Sequence, residues 1–71
     1  MRWIKLHINS KNQEYVGCPI MIEVNAIKYF YSVMDGEKFC GTFIGLGAGQ
    51  VIEVEETSSE VAHAIMNRQD L

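Results

Sequence analysis

The chain is short of basic charge, has one proline and two cysteines, and lacks any long apolar run. Each scarcity removes a class of protein. Six Lys and Arg stand against nine Asp and Glu, a formal charge of −3. The bases Arg2, Lys5, Lys11, Lys28, Lys38 and Arg68 are scattered, whereas a nucleic-acid binder concentrates them in a patch or stripe. Nucleic acid is therefore not an expected partner. No stretch approaches the roughly 20 apolar residues of a membrane helix, so membrane insertion is not expected either. The opening Met1-Arg2-Trp3-Ile4-Lys5 mixes charge with apolar residues and offers no secretory h-region. Cys18 and Cys40 are too few for a disulfide framework. The expected setting is the cytoplasm, with both thiols reduced and packed as small core residues.

What is present is a single small domain, residues 1–71, at 48% hydrophobic composition, which excludes a disordered chain. A domain of this size buries only about 60% of its unfolded surface. Small folds usually gain stability from disulfides, a metal or a partner. With no disulfide framework and no metal motif, self-association is the expected source of extra burial.

Hydrophobic periodicity gives the elements. Trp3 to Ile8 alternates, with Ile4, Leu6 and Ile8 on one face, as a half-buried strand does. Residues 9–13 are polar and end it. Tyr15-Val16-Gly17-Cys18-Pro19 reads as a bend, because proline cannot donate to a ladder. Ile20 to Val24 resumes the strand pattern, and Asn25-Ala26 reads as a bulge or corner. Ile27 to Met34 is rich in β-branched and aromatic residues. It carries Ile27, Tyr29, Tyr31 and Val33 on one side, and Phe30 and Met34 on the other. Asp35-Gly36 marks a turn before a strand from Cys40 to Leu46, and Gly47-Ala48-Gly49 turns into Val51 to Glu55. The period then changes. Thr57-Ser58-Ser59-Glu60 fits a capping box, and Val61, Ala64, Ile65 and Arg68 follow at helical spacing. Residues 69–71 are expected to fray. The expected fold is mainly β, or α+β. It is a small antiparallel meander of about five strands with one C-terminal helix docked on the sheet.

Several groupings could carry chemistry. Gly45, Gly47 and Gly49 are the candidate ligand loop, whose amides could meet a phosphate. A dinucleotide fingerprint needs a helix directly after its glycines; here a strand follows, so a hairpin turn explains them better. His7, Cys18, Cys40 and His63 are zinc-type ligands without finger spacing, and neither cysteine has a sequence-local activator. Glu53, Glu55, Glu56 and Glu60 form an acidic cluster, read as a solvated strand face plus a helix cap. No cofactor, metal site or enzymatic activity is expected. Trp3, Tyr29, Phe30 and Tyr31 are the candidate interaction residues, only part of the set being exposed, because aromatics dominate protein contacts.

The sequence also resembles the flagellar FlbD/SwrD-like family of very small bacterial proteins. Ile4-Lys5-Leu6 is similar to its opening strand, and Glu23-Val24-Asn25 with Ile27 to its apolar-Asn step. Ile44-Gly45-Leu46 is similar to its strand and turn, and residues 51–61 to its closing strand, Glu-Ser/Thr turn and helix. Related small phage and mobile-element proteins share the pattern. Residues 12–19 look inserted, and Cys18, Cys40 and the glycine run lie outside the pattern. The resemblance implies a non-enzymatic accessory protein, motility-related or phage-encoded. The leading expectation is a self-associating interaction module, forming a homo-oligomer or meeting a protein partner. The alternative is a phage or mobile-element protein that binds a small ligand, such as a nucleotide, between subunits.

Overall fold

The computed structural model of the chain describes residues 2–9 and 17–67. The turn expected over 10–13, Tyr15 and Val16, Arg68 and the terminal 69–71 lie outside them. Five strands and one helix occupy the described residues: β1 Trp3–His7, β2 Pro19–Glu23, β3 Tyr29–Asp35, β4 Lys38–Gly47, β5 Gln50–Val54 and α1 Ser58–Met66. A short 3-10 helix, Val24–Ala26, forms the corner expected at Asn25-Ala26.

The strands form two antiparallel sheets, β1–β2 and β3–β4–β5. The meander expectation holds in the second sheet, while β2 and β3 are joined through the corner instead of a ladder. The end of β1 ties the sheets together. Ile8 bridges Val54, the Asn9 amide donates to the Glu53 carbonyl at 2.9 Å, and the Glu55 amide donates to the His7 carbonyl at 2.8 Å. In space the strands therefore run β2–β1–β5–β4–β3, with β2 and β3 at the two ends.

Alternation then fixes the core. Ile4 and Leu6 from β1, Ile22 from β2, Ile44 from β4, Val54 from β5 and Val61 from α1 are buried together. Phe30, Ile52, Ala64 and Ile65 pack against them. The only buried polar side chain among the described residues is Thr42, whose hydroxyl donates to the Glu56 carbonyl at 2.6 Å. That bond removes the cost of burying it.

The capping box forms as the sequence requires. The Glu60 amide donates to Thr57 Oγ1 at 3.1 Å, and the Thr57 amide donates to Glu60 Oε1 at 2.8 Å. A helix of nine residues would not persist alone in water. Val61 holds its first half in the core, and Arg2 holds its far end. The guanidinium donates to the carbonyls of Ala64 and Ile65, both at 2.5 Å, and of Asn67 at 2.6 Å. Among the described residues no helix is long and apolar enough to cross a membrane.

Candidate functional site

The face of β3–β4–β5 opposite the core carries a contiguous aromatic surface. Tyr29 and Tyr31 share the outward side of β3, and Phe43 lies opposite Tyr31 in β4. Tyr29 and Tyr31 are each 51% exposed. Their rings stack at 6.2 Å between centroids and 13° between planes. Tyr31 meets Phe43 edge-on at 5.6 Å and 71°. Both arrangements are preferred by aromatic quadrupoles. Val51, also exposed, continues the surface in β5 opposite Gly45.

Gly45 explains how Tyr29 is held. It pairs directly with Tyr29, and a Cβ built on it would stand far inside contact distance of two carbons of the tyrosine ring. The ring lies flat over the glycine, in the way an aromatic covers a cross-strand glycine. The chain thus keeps two tyrosines half in water yet in fixed orientation, at low cost in side-chain entropy.

The candidate interaction residues are therefore split. Tyr29 and Tyr31 belong to this surface. Trp3, 54% exposed, stands on the outward face of β1 opposite Glu23 and diagonal to the equally exposed Met21 of β2. Phe30 points the other way and packs against the core, because successive residues of a strand face opposite sides. Phe43, which completes the aromatic surface, was not singled out from the sequence. Alternation in β4 gives its face, but its place beside Tyr31 comes from the β3–β4 register.

The candidate ligand loop is likewise divided. Gly45 lies within β4, buried beneath Tyr29, and its carbonyl accepts from the Lys28 amide at 2.8 Å. Only Gly47, Ala48 and Gly49 make the turn, with φ of +84°, +53° and +78°. Positive φ at both Ala48 and Gly49 is what a two-residue type I′ hairpin demands. Ala48 departs from the usual Asn or Gly there, since a Cβ disfavours the left-handed region.

The acidic cluster is more engaged than a solvated face would be. The Asn9 side-chain amide donates to Glu53 Oε2 at 3.0 Å and to the Cys40 carbonyl at 2.7 Å. Glu56 receives the His7 backbone amide at 3.0 Å on one oxygen, and pairs with His7 Nδ1 at 2.6 Å on the other. Glu55 and Glu60 remain exposed. Both cysteines carry thiols; Cys18 is half-buried and Cys40 exposed. The expected buried position of Cys40 fails because it lies at the irregularity where Val33 pairs Gly41 but Met34 pairs Phe39. Among the described residues no group of three or more His, Cys, Asp or Glu could hold a metal.

The Glu56–His7 pair has a pH signature. Burial pushes the Glu56 carboxyl up, but hydrogen bonds from the His7 ring, the His7 amide and its own amide, with the charge of the ring, outweigh it. The net direction is down from 4.5. A carboxyl lowered by folding stabilises the native state above its unfolded value, and that contribution is lost as pH falls through the folded value. Stability is therefore expected to fall on acidification below 4.5. Urea midpoints across that window, compared with those of Glu56→Gln, check it. The variant should show a shallower loss, and equal slopes would refute the assignment.

A concavity of about 480 Å³ lies elsewhere, lined by Arg2, Val24, Asn25, Ile65 and Met66. Its one cationic group is already bonded to the helix carbonyls, and Asn25 is its other polar lining residue beside Val24, Ile65 and Met66. Comparison with known proteins gives no further assignment: no family model matches the chain, and neither curated proteins nor solved structures show a match.

Proposed function

We propose that the protein is a small, non-enzymatic interaction module that associates with itself through the exposed aromatic side of β3 and its neighbours. The observation that carries this reading is the ordered surface of Tyr29, Tyr31 and Phe43 on the solvent side of a small sheet. The ring pairs and the cover over Gly45 already stabilise the sheet of a single copy, and the same half-exposed rings offer a second copy large, rigid anchors. The acids Glu53 and Glu55, with Asn9, give this surface a polar rim, the usual anatomy of a contact. An accessory role, motility-related or phage-encoded, follows from the sequence resemblance and is part of the same proposal.

Light scattering over a concentration series tests it. The wild-type chain should form a defined oligomer. The double substitution Tyr29→Ser, Tyr31→Ser should weaken it by about two orders of magnitude in Kd, at roughly 1–2 kcal/mol per aromatic anchor. A wild-type chain that stays monomeric at the highest soluble concentration overturns the reading.

A further inference from the structure

The way a second copy docks can be read from the backbone. β3 is the end strand of its sheet, so one row of its amides and carbonyls faces away from β4. Which row follows from the ladder. The Glu53 carbonyl accepts from Asn9 on the β1 side, so the backbone of Glu53 faces away from β4. Its partner Phe43 therefore directs its backbone groups toward β3, because these groups alternate along an antiparallel strand. Tyr31, opposite Phe43, and Tyr29, opposite Gly45, direct theirs toward β4. That leaves the amides and carbonyls of Phe30, Ser32 and Met34 on the outer edge, with no partner among the described residues.

Natural sheets protect such an edge with lysine, proline, a bulge, inward charge or a short strand. β3 has only the ladder irregularity between Val33 and Met34, near one end. Residues 29–34 contain neither charge nor proline, and at seven residues the strand is longer than β1, β2 or β5. It is also self-complementary. Ser32 stands at its midpoint, with Lys28 beyond one end and Asp35 at the other. Antiparallel pairing sets the basic end of one copy beside the acidic end of the other; parallel pairing would put like ends together.

We propose that two copies join β3 to β3, antiparallel, with Ser32 on the two-fold axis, which deepens the self-association reading and rests on it. Phe30 then exchanges both backbone hydrogen bonds with the partner's Met34, and Ser32 with the partner's Ser32. On the outward face Tyr31 packs beside the partner's Val33, an aromatic and β-branched pair that stabilises sheets. The two meanders become one sheet, and their aromatic surfaces become continuous.

Amide hydrogen exchange on the wild-type chain tests this, alongside light scattering at the same concentrations. The amides of Tyr29 and Tyr31 face β4 and should be protected at every concentration. Those of Phe30, Ser32 and Met34 should exchange quickly when dilute. They should slow about ten-fold or more where scattering reports a dimer, as paired groups do. If a dimer forms while these three amides stay fast, the edge pairing is wrong and the self-association reading survives. A monomer throughout, with the three amides fast, overturns both.

Discussion

Replacing Ile44 with alanine should leave much of the protein unfolded at low concentration. Ile44 sits mid-strand in β4, flanked by Phe30 of β3 and Ile52 of β5, and is fully buried with Val54 and Val61. Isoleucine to alanine in such a place costs about 2–5 kcal/mol, from lost transfer energy and the cavity left behind. A chain of 71 residues has roughly 4–11 kcal/mol in all, at about 0.05–0.15 kcal/mol per residue. The loss is thus comparable to the whole. Ile44→Val should cost only about 0.5–1.5 kcal/mol. Urea unfolding followed by far-ultraviolet circular dichroism measures both. Because association adds stability by mass action, Ile44→Ala should also regain structure as concentration rises. A variant with wild-type midpoint would mean that the sheets and α1 do not share one core at Ile44.

The fold was legible where the sequence expresses it locally. Alternation marked β1, β2 and β3. The change of period at Thr57 marked α1, and the box Thr57 to Glu60 placed its first turn. The glycine-rich turn was legible for the same reason, since a two-residue hairpin needs positive φ that few residues tolerate. The candidate site was legible only in part. Tyr29 and Tyr31 emerged because a seven-residue strand shows its two faces plainly. Phe30 is their neighbour in sequence but lies on the core side. Phe43 joins them only through the β3–β4 register, and register is not written in either strand alone. The polar contacts were hidden more deeply. His7 with Glu56 and Asn9 with Glu53 depend on β1 crossing to β5, more than 40 residues away in the chain. Glycine at 45 looked like loop chemistry because its partner ring lies sixteen positions earlier, across a strand pair.

Arg2 is the longest-range of these contacts, and its removal should have the second large effect. A helix leaves its last four carbonyls without intrahelical donors, and α1 ends at Met66. One guanidinium reaches the carbonyls of Ala64, Ile65 and Asn67, and its positive charge lies at the negative end of the helix dipole. Its own backbone is fixed, because the Arg2 carbonyl accepts from the Val24 amide at 2.9 Å. The side chain therefore pins the end of α1 to the start of β1 and to the corner between the sheets. Arg2→Ala should cost about 2–3 kcal/mol, the worth of charge-assisted hydrogen bonds whose acceptors are left partly covered. Arg2→Lys should recover less than half of that. An ammonium keeps the charge but lacks the planar fork that spans several acceptors. The loss should be local first. Val61 still holds the opening turns of α1, so the amides of Ile65, Met66 and Asn67 should exchange faster well before the sheets do. Exchange that accelerates uniformly across α1 and the strands would instead make Arg2 part of the global folding unit. No change at either place would mean that burial of Val61, Ala64 and Ile65 alone keeps the helix docked.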